Sequence, residues 1–155
     1  MKNVVKFIIC LFIPLAVGAV SGFVTSSSIN TWYAAIQKPW FNPPNNLFGP
    51  VWTILYILMG ISLFMIVQSD TGKSHRKSIV IFAVQLFLNF CWSFLFFTFH
   101  APGIALVEIL FLLVSIIVMI NIFYKINKTA ALLQIPYLMW VSFASLLNGA
   151  IWYLN

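Results

Sequence analysis

Apolar and polar positions along the chain fall into five long apolar stretches separated by short polar clusters. The stretches run from about Val4 to Thr25, Leu47 to Gln68, Ser78 to Phe99, Gly103 to Tyr124 and Ala130 to Tyr153. A helix rising 1.5 Å per residue needs about 20 residues to cross roughly 30 Å of hydrocarbon. The pattern therefore predicts an all-α integral membrane protein, a bundle of five transmembrane helices. Little chain is left between the stretches, so one membrane domain over 1–155 is expected. The first stretch follows Lys2 and Lys6 but exceeds the length of a signal-peptide core, and is read as a retained helix.

Three connections are short: Ser69–Lys77, His100–Gly103 and Lys125–Thr129. Such links make neighbouring helices antiparallel and adjacent. The first connection, about Ser26 to Asn46, is long and carries Trp32, Tyr33, Trp40 and Phe41 with Pro39, Pro43 and Pro44. Long ordered loops on a rigid scaffold are usually functional, so this one is expected to fold over a site. An interfacial belt of aromatic rings is the other reading.

Composition agrees with the pattern. The 155 residues are 63% hydrophobic and 6% charged, against about 45–50% and about 25% in soluble domains. A soluble domain, a disordered chain and a nucleic-acid-binding module are all excluded by this balance. The net charge of +6 points to lipid headgroups instead. Lys2, Lys6, Lys73, Arg76, Lys77, Lys125 and Lys128 fall on one side of the bundle and Lys38 alone on the other. That asymmetry predicts a cytoplasmic N-terminus and an external C-terminus. Cys10 and Cys91 make no disulfide framework and read as small buried hydrophobes.

Candidate chemistry is sparse. Of the two acids, Asp70 sits in a basic loop and reads as solvated. Glu108 lies inside the fourth stretch, either as an intramembrane functional group or as a side chain snorkelling to the interface. His75 reads as a solvated loop residue and His100 closes a span at the outer face. Neither completes a metal site or a triad. What remains are polar and aromatic stripes at helical spacing: Trp52, Tyr56 and Met59; Gln85, Asn89 and Trp92; and Trp140, Ala144 and Asn148, with Ser145 adjacent and Pro136 just before. Each stripe shares one helix face, and buried amides must find partners away from lipid. Together they are expected to converge on an internal pocket for a flat, largely apolar ligand, with no cofactor required. Gly18 and Gly22 form a GxxxG pattern, a candidate contact in a homodimer, though the pattern is also common by chance in apolar helices.

The run Pro39-Trp40-Phe41-Asn42-Pro43-Pro44, followed by Phe48-Gly49-Pro50-Val51-Trp52, Leu55-Tyr56 and Met59-Gly60, resembles the first loop and second helix of the TspO/MBR family, the tryptophan-rich sensory proteins related to the mitochondrial translocator protein. Gln85, Leu88-Asn89, Trp92-Ser93 and Phe96-Phe97 are similar to its third helix. Pro136-Tyr137, Trp140, Phe143-Ala144 and Leu147-Asn148 are similar to its fifth. The resemblance spans nearly the whole chain and looks bacterial. It implies a five-helix bundle, often a homodimer, with a pocket under the first loop for porphyrins such as protoporphyrin IX and for isoquinoline- or benzodiazepine-type ligands. The candidate ligand-binding set is Tyr33, Trp40, Pro43, Pro44, Trp52, Tyr56, Gln85, Asn89, Trp92, Trp140, Ala144, Ser145 and Asn148. Some family members are reported to degrade porphyrin with light and oxygen. That activity would make Trp52 and Trp140 the catalytic pair. A receptor or sensor is the leading expectation, with the photo-enzyme and a small porphyrin transporter as alternatives. No basic residue follows Tyr153, which counts against the sterol-recognition pattern of animal members.

Overall fold

The computed structural model describes residues 2–69, 72 and 74–155. Asp70, read as a solvated acid, and Lys73, counted with the basic residues of its side, lie outside the described residues. The elements are α1 (Lys2–Ile29), α2 (Trp32–Ala35), α3 (Phe48–Ser69, entered through a 3₁₀ turn at Asn45–Leu47), α4 (Ser74–Ser93, continued by a π-helical turn at Phe94–Thr98), α5 (Pro102–Tyr124), α6 (Lys128–Leu132) and α7 (Ile135–Leu154). They give five helical spans long and apolar enough to cross a membrane, the fifth made of α6 and α7 in series. The chain is an integral membrane protein. Its outer surface carries Phe12, Phe87, Phe111 and many β-branched residues, as lipid contact allows.

Two boundaries differ from the sequence expectation, each for a physical reason. Ser26, Ser27 and Ser28 do not end the first span, because each hydroxyl finds a carbonyl. Ser26 Oγ donates to Phe23 O and Ser27 Oγ to Val24 O, one turn back, while Ser28 Oγ donates to Phe97 O across the bundle. The helix therefore continues to Ile29. The fifth span is interrupted between Leu132 and Ile135. Pro136 sits in the first turn of α7, where its missing N–H costs nothing and its ring would clash with a preceding helical turn.

The two ends of the bundle are tied separately. At one end Asn127 Nδ2 donates to Ser69 Oγ at 3.2 Å, joining two of the short connections. Nearby, Ser62 Oγ donates to Ala130 O at 2.7 Å. Above them lies a core of Met59, Ile66, Ile116, Met119, Phe123, Tyr137 and Val141, all fully buried. A second cluster at the opposite end, Tyr33, Phe96, Phe97, Leu147 and Ile151, sits beneath the first loop. Between the two clusters the packing opens.

Candidate functional site

The opening is a cavity of about 510 Å³ between α1, α3, α4 and α7, roofed by Tyr33 of α2. That volume lies within the range of small-molecule sites, roughly 300–1,000 Å³. One wall is the face of α3 that carries Phe48, Trp52 and Tyr56. Trp92, Ser93, Phe96 and Phe97 of the third span supply another, and Trp140, Ala144, Leu147 and Asn148 of α7 a third. α1 contributes small residues, Gly18, Ala19, Ser21, Gly22 and Ser26. None of the lining residues carries a charge.

The rings brace one another. Trp52 stacks on Tyr56 at 5.6 Å and meets Tyr137 edge-on at 6.3 Å. Trp140 stands edge-on to Phe48 at 6.2 Å, and Trp92 stacks on Phe96 at 5.2 Å. Aromatic pairs at such spacings add to plain burial, so the walls are preorganised. Among the described residues, the indole N–H groups of Trp52 and Trp140 have no hydrogen-bond partner, and both residues line the cavity.

Beneath the cavity lies a chain of hydrogen-bonded side chains that ends at Gln85, whose Nε2 is buried without a partner. Tyr56 Oη donates to Asn89 Oδ1. Asn89 Nδ2 reaches Tyr137 Oη at 3.2 Å, and Tyr137 Oη donates to Gln85 Oε1 at 2.9 Å. Gln85 and Asn89 therefore belong to the floor and do not line the cavity. Helical spacing placed them on an inward face but could not show that the hydroxyl of Tyr137 stands opposite. Asn148 does reach the cavity. It is engaged at both ends, accepting from Trp92 Nε1 at 3.0 Å and donating to Pro102 O at 2.7 Å. Ser145 also stays out of the lining, since its Oγ bonds back to Val141 O at 2.8 Å.

The first loop covers the cavity through Tyr33, which is 2% exposed. Its hydroxyl donates to Asn42 Oδ1 at 2.6 Å, and burial pushes it up to about 12. Lys38 folds back under the loop. Its Nζ donates to Tyr33 O, Ala34 O and Ile36 O at 2.7, 3.3 and 3.1 Å, 5.1 Å from the Tyr33 ring centroid. Trp32 stacks on His100 at 4.4 Å. Gln37 and Asn155 exchange two hydrogen bonds of 3.0 Å, fastening the loop to the end of α7. His100 holds φ at 50°, a left-handed conformation that reverses the chain between α4 and α5 and sets the ring against Trp32. The loop also keeps an interfacial part. Trp40 is 95% exposed, turned outward at the tight turn where Asn42 N bonds Pro39 O. Trp40, Pro43 and Pro44 do not line the cavity.

Gly18 packs against α3, whereas Gly22 is exposed at the side of the cavity. A Cβ at Gly18 would stand 2.4 Å from the Tyr56 ring, whereas one at Gly22 would meet nothing within 4 Å. The close approach at Gly18 is made within the chain, to α3. Gly22, Ser26, Gly49 and Thr53 both line the cavity and are exposed, so the cavity opens sideways between α1 and α3 towards the bilayer. Glu108 does not snorkel, since both carboxyl oxygens are buried without a hydrogen-bond partner. His75 lies in the first turn of α4, half-buried, not in a solvated loop.

Sequence reasoning missed the wall supplied by α1, above all Ser21. Its side chain lines the cavity with a buried Oγ set beside the Tyr56 hydroxyl. The signal was present as small residues recurring at Gly18, Gly22 and Ser26, which share one face with Leu15 and Ile29.

Comparison with known proteins agrees with this architecture. The TspO/MBR family signature matches residues 10–154. The chain is 44% identical over 153 residues to the tryptophan-rich protein TspO of Archaeoglobus fulgidus, covering 99% of both chains. It is 36% identical over 124 residues to the human translocator protein, covering 78% of this chain and 73% of that one. To the tryptophan-rich sensory protein of Cereibacter sphaeroides it is 30% identical over 117 residues, 76% and 72% of the two chains. With five spans, a ring-walled cavity and this likeness over nearly its whole length, the chain belongs to the TspO/MBR family.

Proposed function

We propose that this protein is a membrane receptor or sensor that takes a flat, mostly apolar ligand, a porphyrin or an isoquinoline- or benzodiazepine-type molecule, into the cavity beneath Tyr33. The observation that carries this reading is a 510 Å³ cavity walled by Trp52, Trp92, Trp140, Phe48 and Phe96 and lined by no charged side chain. Broad rings offer stacking surface to a planar molecule. The Trp52 and Trp140 N–H groups and Ser21 Oγ supply the few polar contacts that orient it.

Charge sets a further condition. A carboxylate inside this cavity would lose its hydration with no cation to meet it, a large cost. Acidic groups on a ligand must then remain at the mouth, in water or among headgroups. The test is a fluorescence titration of the purified protein with protoporphyrin IX and with its dimethyl ester. Tight binding of the ester, at least equal to the diacid, is the expected result. Failure of both to quench the cavity tryptophans would overturn the reading.

A second reading is favoured by the same two indoles. Trp52 and Trp140 both border the cavity, close enough to one bound macrocycle to give it an electron when it is photoexcited, with dioxygen as the oxidant. Light-dependent breakdown of a bound porphyrin would then require these rings and no acid–base residue.

A further inference from the structure

A second concavity lies on the outside of the bundle, away from the ring-walled cavity. It is a groove of about 390 Å³ between α1, α3 and α4, lined by apolar residues alone, Ile13 and Val17 on α1, Leu63 on α3, and Ile79, Ala83 and Phe87 on α4 among them. Ile13, Ile79 and Phe87 are exposed to the surroundings. Ala83 is the smallest of the lining side chains, and a larger one there would take up part of the groove. In a spanning bundle this surface faces hydrocarbon.

What heads the groove gives it an occupant. Seven residues are close to two helical turns, about 10 Å, and return to the same face. Lys6 stands seven residues before Ile13, and Arg76 seven before Ala83. Each basic residue therefore lies on the stripe that walls the groove. The two helices run parallel, since Ser28 at the end of α1 bonds Phe97 at the end of the third span. Lys6 and Arg76 are thus at the same end of the groove. Both are exposed, and neither is paired with an acid among the described residues, where Glu108 on α5 is the sole acid. An apolar slot with two cations on its wall stripes, towards the same end, has the chemistry of an anionic lipid in reverse.

We propose that this groove is a binding site for an anionic glycerophospholipid of the surrounding bilayer, with one acyl chain along Ile13, Val17, Ala83 and Phe87 and the phosphate between Lys6 and Arg76. Basic residues near the membrane surface each favour anionic lipid, and the apolar slot fixes where that lipid stays. A zwitterionic lipid offers the same tails with a compensated headgroup, and so binds the slot without the preference.

The test uses the full chain, purified in detergent and supplied with dioleoylphosphatidylglycerol or dioleoylphosphatidylcholine, with retained lipid measured by native mass spectrometry. One phosphatidylglycerol per chain is expected to be held in preference to phosphatidylcholine, on the order of tenfold. The Lys6→Gln/Arg76→Gln double variant should bring that ratio to about one. Ala83→Trp, which fills the slot, should reduce retention of both lipids, and Val17→Phe serves the same purpose if that variant does not fold. Equal retention of the two lipids by the wild-type protein, or a preference that survives the double Gln variant, would overturn the proposal. So would a slot-filling variant that keeps its lipid but changes oligomeric state in light scattering, because the groove would then be a seam between copies.

Discussion

Gly18 of α1 lies flat against the ring of Tyr56 of α3, so closely that a single methyl group at Gly18 would stand 2.4 Å from Cδ2 of that ring. This approach fixes the position of Tyr56, whose hydroxyl then donates to Asn89 and closes the cavity floor. One missing side chain on α1 is thereby coupled to a hydrogen-bond network on α4 and α7.

The two glycines of α1 should therefore respond differently to substitution. Gly18→Ala forces the Tyr56 ring aside and is expected to destabilise the bundle by about 1–3 kcal/mol, as overpacking does, read from thermal unfolding in detergent. Gly22→Leu meets open space, so the fold should hold while the side opening of the cavity fills and porphyrin affinity drops. A Gly22→Leu protein with unchanged affinity and a weakened dimer would return this position to a contact between copies.

The loop gives a second prediction, with a pH sign. The Tyr33 hydroxyl titrates at about 12 in the folded protein against 10.0 when free. Folding thus favours its neutral form, and the stabilisation is complete below pH 10 and is lost as pH rises towards about 12. Ligand affinity should fall across that window as the Tyr33–Asn42 bond opens, and Tyr33→Phe should flatten that part of the profile. Running both proteins in a Lys38→Met background removes the neighbouring ammonium from the comparison. The Lys38→Met change alone should weaken binding while leaving helix content intact, because three loop carbonyls lose their donor.

Trp52 and Trp140 separate recognition from chemistry. As stacking surfaces they keep much of their value when replaced by Phe, so each single variant should lose about 1 kcal/mol of porphyrin affinity, roughly fivefold. As electron donors they have no substitute in Phe, and porphyrin loss under illumination should collapse. Degradation at the wild-type rate in the double Phe variant would leave the photochemical reading without a mechanism.

Glu108 should prove costly to the fold. Its carboxyl is buried without a hydrogen bond, and a buried polar group without a partner destabilises by about 1–3 kcal/mol. Glu108→Leu is expected to raise the unfolding temperature. A lowered temperature would mean that the carboxyl finds a partner once the protein is in lipid.

Orientation can be read by labelling. In a background lacking Cys10 and Cys91, a thiol at Gln37→Cys should react with an impermeant reagent added outside intact cells, and one at Lys77→Cys should not. The opposite pattern would reverse the topology drawn from the charge asymmetry.

The spans were legible because hydrocarbon demands a long apolar run and the chain supplies five. Trp52, Tyr56 and Trp140 were legible because helical spacing puts aromatic residues on one face. Spacing says nothing about what stands opposite, however. The floor role of Gln85 and Asn89 depends on the hydroxyl of Tyr137, which comes from a helix some 50 positions along the chain. Ser26–Ser28 resembled a stop signal because local hydroxyl-to-carbonyl bonds, which keep a serine inside a helix, leave no trace in hydropathy. Ser21 was hidden by its neighbours. Set between two glycines in a GxxxG pattern, it reads as part of a contact surface, and only the packing of α1 shows it facing the cavity. Trp40 and Tyr33 look alike in a loop, and the turn at Pro39–Asn42 decides which ring points in and which points out.

The uncharged lining of the cavity has an electrical consequence. A unit charge moved across the full transmembrane potential changes energy by about 2.3 kcal/mol per 100 mV. A neutral ring system entering a neutral cavity displaces no such charge. Occupancy is then set by ligand concentration in the bilayer and is indifferent to whether the membrane is energised. On the proposed receptor reading, the protein would report the amount of its ligand independently of the membrane potential.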